Sequence, residues 1–244
     1  MNNNLRAIWT ITKKEIQSYF DSLIAYILLI IFLGVSGFFT WLFGSDIFYA
    51  GQASLRTFFA VAYWTLFFFI PALTMRLIAE EKKTGTIELL LTKAVSDRSV
   101  VLGKFIAALL LIIIALACTS SYVITLSKIG NIDAGEIICG YTGLVAMSAS
   151  YISIGIYASS LTNNQIVAFL LALIIGLFFH ILFGVLASSF SGVLSTIFST
   201  LSMGNHFDSI SRGVVDSRDL VFFISIIFLG LFLSEMSLTK RNLN

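Results

Sequence analysis

Long apolar stretches separated by short polar ones dominate this chain. Residues 22–45, 57–75, 105–127 and 137–207 contain no Asp, Glu, Lys or Arg. About 20 helical residues cross a hydrocarbon core of roughly 30 Å, so each stretch can hold at least one membrane span. Period-two alternation is absent, which excludes a transmembrane barrel. The pattern therefore predicts an all-α membrane protein.

The turns within this pattern predict six spans and one shorter element. The predicted spans are residues 23–43, 58–78, 101–125, 138–160, 165–186 and 220–236. Residues 188–204 are short for a span and rich in Ser and Thr, so we expect a re-entrant element that packs on the bundle. A further span over this segment is the alternative.

Charge is scarce and unevenly placed. Only 11% of the residues are charged, against about 25% in soluble domains. Most of the basic residues fall in the N-terminal segment, the second loop and the C-terminal segment, namely Arg6, Lys13, Lys14, Arg76, Lys82, Lys83, Lys93, Arg98, Lys104, Lys240 and Arg241. Because basic residues are enriched in cytoplasmic loops, both termini and the second loop are predicted to be cytoplasmic.

No internal repeat or soluble domain is visible, so residues 1–244 are expected to form a single domain. Within it, residues 5–22 have helical periodicity, and Lys13, Lys14 and Gln17 lie away from the apolar stripe. That stripe consists of Leu5, Ile8, Trp9, Thr12, Ile16, Tyr19, Phe20 and Leu23. The pattern predicts an amphipathic helix in the membrane interface. A frayed tail is the alternative.

The loop over residues 79–100 is longer than the 2 to 8 residues that usually join helices in a bundle. It begins with Glu80 and Glu81, and Gly85, which Thr86 follows, is expected to end the helix that leaves the membrane. The next residues predict a short helix with apolar side chains facing water, formed by Ile87, Glu88, Leu89, Leu90 and Leu91. An exposed apolar helix fits a groove on a partner protein. Leucines lying on the lipid headgroups are the alternative.

The chain lacks the residue patterns of the common active sites. It has no glycine-rich phosphate loop followed by Lys and Ser or Thr, and its only histidines are His180 and His206. We therefore expect no catalytic residues, no cofactor and no metal, and the net charge of +2 gives no indication of a nucleic-acid partner. The chain is not expected to be an enzyme by itself.

Four further residues in the predicted spans point to helix packing. Pro71 removes an amide donor from span two and predicts a kink. Gly155 and Ser159 form a small-residue pair that permits close approach of another helix. His180 lies deep in span five, where a neutral histidine bonded to a neighbouring helix is favoured and a proton relay is the alternative.

The run IPALTMRLIAEEKKTGTIELLLTKAVSDRSVVLGKF resembles the signature of type-2 ABC-transporter permeases, which have six spans. More closely, the chain resembles the permease subunit of the gliding-motility ABC transporter of Bacteroidetes, and it is similar to the copper-enzyme maturation permeases. The segments KKEIQSYFDSLIAYI, ASSLTNNQIVAF and ISRGVVDSRDLVFF extend the resemblance over nearly the whole chain. Ala94 departs from the subgroup, which usually has Lys followed by Pro here.

The resemblance implies a permease of the bacterial inner membrane that exports a substrate or transmits force in gliding motility. Residues 5–22 would be an elbow helix, residues 85–92 a coupling helix on a separate cytoplasmic ATPase, and residues 188–204 the re-entrant element. Glu80 and Glu81 would lie near the ATPase surface. A second permease copy or an accessory membrane subunit would pair with this chain, and the lipid bilayer would surround the assembly. A self-sufficient channel or ion-coupled carrier, and a membrane scaffold, remain the alternatives.

Overall fold

The computed structural model describes residues 3–43, 54–86, 96–214 and 216–241. All regular secondary structure in these ranges is helical. The helices are α1 (Asn3–Asp21), α2 (Ile24–Trp41), α3 (Arg56–Thr74), α4 (Ala79–Thr84), α5 (Asp97–Cys118), α6 (Ser120–Ile129), α7 (Ala134–Leu161), α8 (Gln165–Leu177), α9 (Phe183–Ser189), α10 (Val193–Leu201), α11 (Met203–Ser211) and α12 (Ser217–Arg241), with a π-helical turn (Phe178–Leu182) between α8 and α9.

Within the described ranges, six helical segments are long and apolar enough to cross a membrane. They are α2, α3 with α4, α5 with α6, α7, the segment from α8 to α9, and α12. The prediction of an all-α protein with six candidate spans is therefore confirmed.

No candidate span is found over residues 188–204, all of which are described. Instead α10 and α11 follow one another, each with nine residues, or about 14 Å of helix at 1.5 Å per residue. Both are too short to cross a core of about 30 Å. His206 on α11 ties this segment down, because its Nδ1 lies 2.6 Å from Asp219 Oδ1 on α12 and its Nε2 lies 3.0 Å from the Thr200 carbonyl. A re-entrant position in the membrane stays a prediction.

Helix α7 lies at the centre of the bundle and contacts α3, α5, α8, α11 and α12. Its buried face is rich in small residues, which let neighbouring helices approach closely. Gly155 is the tightest of these positions, because a Cβ atom there would overlap the Thr74 side chain on α3. Ser159, one turn further along, is also fully buried. The predicted close approach at Gly155 and Ser159 is therefore found, and the approaching helix is span two.

Span two is interrupted shortly after its proline. Pro71 lies inside α3, regular helix stops at Thr74, and it resumes as α4 at Ala79. Ser159 supplies the missing hydrogen bonds: the amides of Ile78 and Ala79 donate to its Oγ over 3.1 and 3.0 Å, and its hydroxyl donates to the Met75 carbonyl over 3.0 Å. A break that a neighbouring helix stabilises thus follows Pro71, and the kink expected at Pro71 itself stays a prediction.

This packing makes position 155 intolerant of a larger residue. We expect Gly155→Ala to destabilise the protein by about 1–3 kcal/mol, as overpacking usually does, and to lower the thermal unfolding midpoint in detergent. Gly34→Ala is the matched control, because nothing lies within 4 Å of its added Cβ atom and alanine favours a helix by about 1 kcal/mol. Equal midpoints for the two variants would contradict the packing at Gly155.

His180 lies in the π-helical turn and is enclosed by rings from α3. Its ring stacks on Tyr63 at 4.1 Å and on Phe67 at 4.3 Å between centroids. Its Nδ1 lies 2.6 Å from the hydroxyl of Tyr151 on α7, and the Tyr63 hydroxyl donates to its carbonyl over 3.3 Å. The histidine is therefore bonded to neighbouring helices, as the favoured interpretation expected.

Candidate interaction site at the second loop

Helix α1 packs lengthwise against α5, which begins span three. Thr12 is fully buried and donates from Oγ1 to the Gly103 carbonyl over 3.1 Å. Ile11 and Tyr19 are also buried, whereas Leu5 is 55% and Trp9 62% exposed. The face of α1 that packs on the bundle therefore includes Thr12 and Tyr19 of the predicted stripe, whereas Leu5 and Trp9 of the same stripe stay exposed. Placement of α1 in the interface remains a prediction.

Three charged side chains from α1, α4 and α5 meet where these helices converge. Lys104 Nζ lies 2.9 Å from Glu15 Oε1 and 2.8 Å from Glu81 Oε1. The Lys104 side chain is 1% exposed and both carboxylates are largely buried. We call Glu15, Glu81 and Lys104 the ionic junction. Removing one member of a buried ion pair leaves an uncompensated charge at high cost, so these three helices are held as a unit.

A buried tyrosine and an open cleft adjoin the ionic junction. Burial of the Tyr19 phenol raises its pKa, and the nearby Glu15 carboxylate raises it further, so this side chain stays neutral. A cleft of about 320 Å³ opens beside the junction and is lined largely by polar residues of α1 and the start of the second loop. The cleft gives a partner access to the edge of the junction.

The opposite side of α4 is fastened to α7. Lys82 Nζ donates a hydrogen bond to the Ser160 carbonyl, and the Ser237 hydroxyl on α12 donates to the same oxygen over 3.0 Å. Ser160 lies in the last turn of α7, where the helix dipole favours a cation. Because Glu81 and Lys82 are adjacent, α4 is clamped between α5 on one side and α7 on the other.

The ends of the described loop follow from local sequence. Gly85 ends α4 with φ of +71°, a conformation that glycine adopts without steric cost. On the far side, Ser96 caps α5 by accepting a hydrogen bond from the Ser99 amide at 3.3 Å. Asp97 lies in the first turn of α5, where an acid complements the helix dipole. The chain thus leaves α4 and enters α5 at fixed points.

The predicted site residues divide into three groups. Glu80 stays near the surface in an ion pair with Arg76 at 2.8 Å, and Thr86 is exposed and bonds Thr84 at 2.9 Å. Glu81 turns inward to the ionic junction. The residues expected to form the apolar helix lie outside the described ranges: Ile87, Glu88, Leu89, Leu90 and Leu91.

Sequence reasoning did not identify the partners that position α4. Lys104 carried a usable signal, because a lysine among the apolar residues of a span needs an acidic partner. Glu15 did not, since it lies 89 residues away on a helix that was expected to lie in the membrane interface. Ser159 was recognised as a small residue but not as the cap of a broken helix.

Comparison with known proteins shows which family this chain resembles. Residues 9–215, well over half of the chain, match the family described as ABC-2 family transporter protein. No curated protein matches the chain. The resemblance to type-2 ABC permeases is therefore confirmed at the level of the family, while the gliding-motility subgroup stays a prediction. With its six candidate spans, this multi-pass membrane protein belongs to the ABC-2 family of transporter permeases.

Proposed function

We propose that this chain is the permease subunit of an ABC transporter and that its second loop binds a separate cytoplasmic ATPase. The observation that carries the proposal is the clamping of α4 between α5 and α7 through Glu81 and Lys82. A loop that only connected two spans would need no such attachment. A loop pushed by a partner needs one, because its displacement must reach the membrane helices.

The connections of α4 give this displacement two routes. Through Glu81 and Lys104, movement of α4 reaches span three and α1 together. Through Lys82 and Ser159, it reaches the end of α7, which is the central helix of the bundle. We infer that the helix expected at residues 85–92 takes up motion of the ATPase and that α4 passes it to these helices.

The proposal includes a location and an orientation. Family membership supports a location in a membrane. The bias of Lys and Arg supports the placement of both termini and the second loop on the cytoplasmic side of the bacterial inner membrane. We propose the gliding-motility system on the resemblance described above, with substrate export or force transmission as its output.

A second permease copy, or an accessory membrane subunit, would complete the assembly. The faces of α2 and α8 are open to such a partner, since Ile30 on α2 is 71% and Ile174 on α8 is 54% exposed. These two helices correspond to spans one and five, which the resemblance assigns to subunit pairing. Their remaining apolar surface would face the lipid bilayer.

Purification of the tagged full-length protein in mild detergent tests the proposal. Mass spectrometry of the co-purifying proteins should identify an ATPase with a glycine-rich phosphate loop in near-stoichiometric amount, and the preparation should hydrolyse ATP. A homogeneous permease that carries no ATPase would overturn the assignment. In that case an ion-coupled carrier becomes the better account, and ion flux in liposomes should then be sensitive to His180→Ala.

A further inference from the structure

The start of α5 and the end of α12 line a groove of about 620 Å³ on the outside of the bundle. Its floor is apolar and includes Leu102, Phe228 and Phe232. The two phenylalanine rings stack 6.1 Å apart with an interplanar angle of 7°, and Phe228 is 68% exposed. The groove is therefore an open apolar surface between two membrane helices, and none of the three residues of the ionic junction lines it.

Charged residues surround only the end of the groove nearest the chain terminus. Arg98, Glu235 and Lys240 line it there, and none of these three forms an ion pair with another described side chain. Asp97 stands beside them, and its Oδ2 accepts a hydrogen bond from Thr239 over 3.1 Å. That bond joins the two walls and fixes the width of the mouth.

The length of the groove corresponds to one leaflet of a bilayer. Phe228 and Lys240 are twelve residues apart on α12, which is about 18 Å at 1.5 Å per residue. One leaflet contributes about 15 Å of hydrocarbon. If Arg98 and Lys240 lie at the headgroup level, as the bias of basic residues predicts, the groove reaches the depth of an acyl chain.

The charges at the mouth match both charges of an aminophospholipid. A phosphate group attracts Arg98 and Lys240, and a primary ammonium donates hydrogen bonds to a carboxylate such as Glu235. A membrane helix of a second subunit would bury these three groups without partners unless it brought matching charges to the same level. Charge complementarity therefore favours a lipid over a helix.

We propose that this groove binds one aminophospholipid, with its phosphate between Arg98 and Lys240 and its ammonium at Glu235. An acyl chain lies along Leu102 and the two stacked phenylalanine rings. The lipid bridges the start of span three and the end of span six. Arg98 belongs to the second loop, but the site includes none of residues 85–92, which we assign to the ATPase, and lipid binding is measured without an ATPase, so the two proposals can fail independently.

Native mass spectrometry of the full-length protein, titrated with single phospholipids, tests the site. Phosphatidylethanolamine should bind more tightly than phosphatidylglycerol or phosphatidylcholine. Arg98→Gln with Lys240→Gln should weaken it about 30-fold, since each basic residue near a headgroup contributes about fivefold in affinity. Arg6→Gln with Lys128→Gln removes the same charge from exposed positions elsewhere and should leave binding unchanged.

Two further variants separate the headgroup from the chain. Glu235→Gln should reduce phosphatidylethanolamine binding to the level of phosphatidylglycerol, because only the amine loses its acceptor. Leu102→Trp should weaken all three lipids by filling the groove. Equal binding by the double variant and its control, or a preference for phosphatidylglycerol in the unaltered protein, would refute the site. So would disulfide-linked dimers of a Phe232→Cys variant in a Cys118→Ser, Cys139→Ser background, which would identify a second copy as the occupant.

Discussion

Lys104→Met should lower the free energy of unfolding by about 3–5 kcal/mol, the usual cost of breaking a buried ion pair. Methionine keeps the apolar stem of the side chain but leaves Glu15 and Glu81 close together without a cation. Both carboxylates are largely shielded from solvent, so water cannot fully replace the lost ammonium. Thermal unfolding in detergent measures the loss, and Lys128→Met, at an exposed lysine on α6, is the control.

The same substitution should also interrupt coupling. Once the carboxylates repel each other, α4 is no longer held to α5 and α1. ATP hydrolysis by the associated ATPase should then no longer respond to the conformation of the permease.

Adding Glu15→Gln and Glu81→Gln removes the unpaired charges and should restore most of the stability, since replacing all partners by neutral groups is far less costly than removing one. Coupling should stay lost in this triple variant. An unfolding midpoint for Lys104→Met equal to that of Lys128→Met would show that the ionic junction does not stabilise the fold.

Leu90→Asp should abolish co-purification of the ATPase while leaving the permease itself intact. Leu90 lies outside the described residues, and its role is predicted from the apolar run after Gly85. A carboxylate at the centre of an apolar interface costs several kcal/mol when it has no partner, which corresponds to a loss of affinity of at least 100-fold. Quantitative pull-down at fixed salt measures this loss.

Leu90→Met is the matched control, because a volume-conserving apolar exchange usually costs less than about 1.5 kcal/mol. It should retain the ATPase at close to the original level. Gel filtration of the Leu90→Asp permease should be unchanged, since Leu90 lies outside the predicted spans. Retention of the ATPase by Leu90→Asp would mean that the second loop is not the binding element.

The spans were predictable because length and apolarity alone determine which segments can cross a bilayer. The interior of span two was not. Pro71 indicated a kink, but the break at residues 75–78 depends on hydrogen bonds from Ser159, which lies 81 residues from Ile78 in the chain. A sequence pattern records neighbours along a helix and contains no direct record of contacts across the bundle.

The candidate site shows the same limit. The expectation that Gly85 ends a helix needed only its backbone preference, and the structure bears it out. Glu80 and Glu81 were both expected near the ATPase surface from the resemblance to type-2 ABC permeases. Adjacent residues on a helix are about 100° apart, so one carboxylate meets Arg76 and solvent while the other meets Lys104. Which of the two turns inward depends on α1, because Glu15 on that helix shares Lys104 with Glu81.

Site-specific crosslinking tests most directly whether the second loop touches an ATPase. Cys118 and Cys139 are free cysteines and are first replaced by Ser, after which Leu90→Cys is introduced and labelled with a thiol-reactive benzophenone. Lys128→Cys serves as the control position, because Lys128 lies on α6 at the opposite end of span three. We expect an ATPase adduct from Leu90→Cys that changes in yield when ATP is added, and none from Lys128→Cys. No adduct from Leu90→Cys, or equal adducts from both positions, would contradict this expectation.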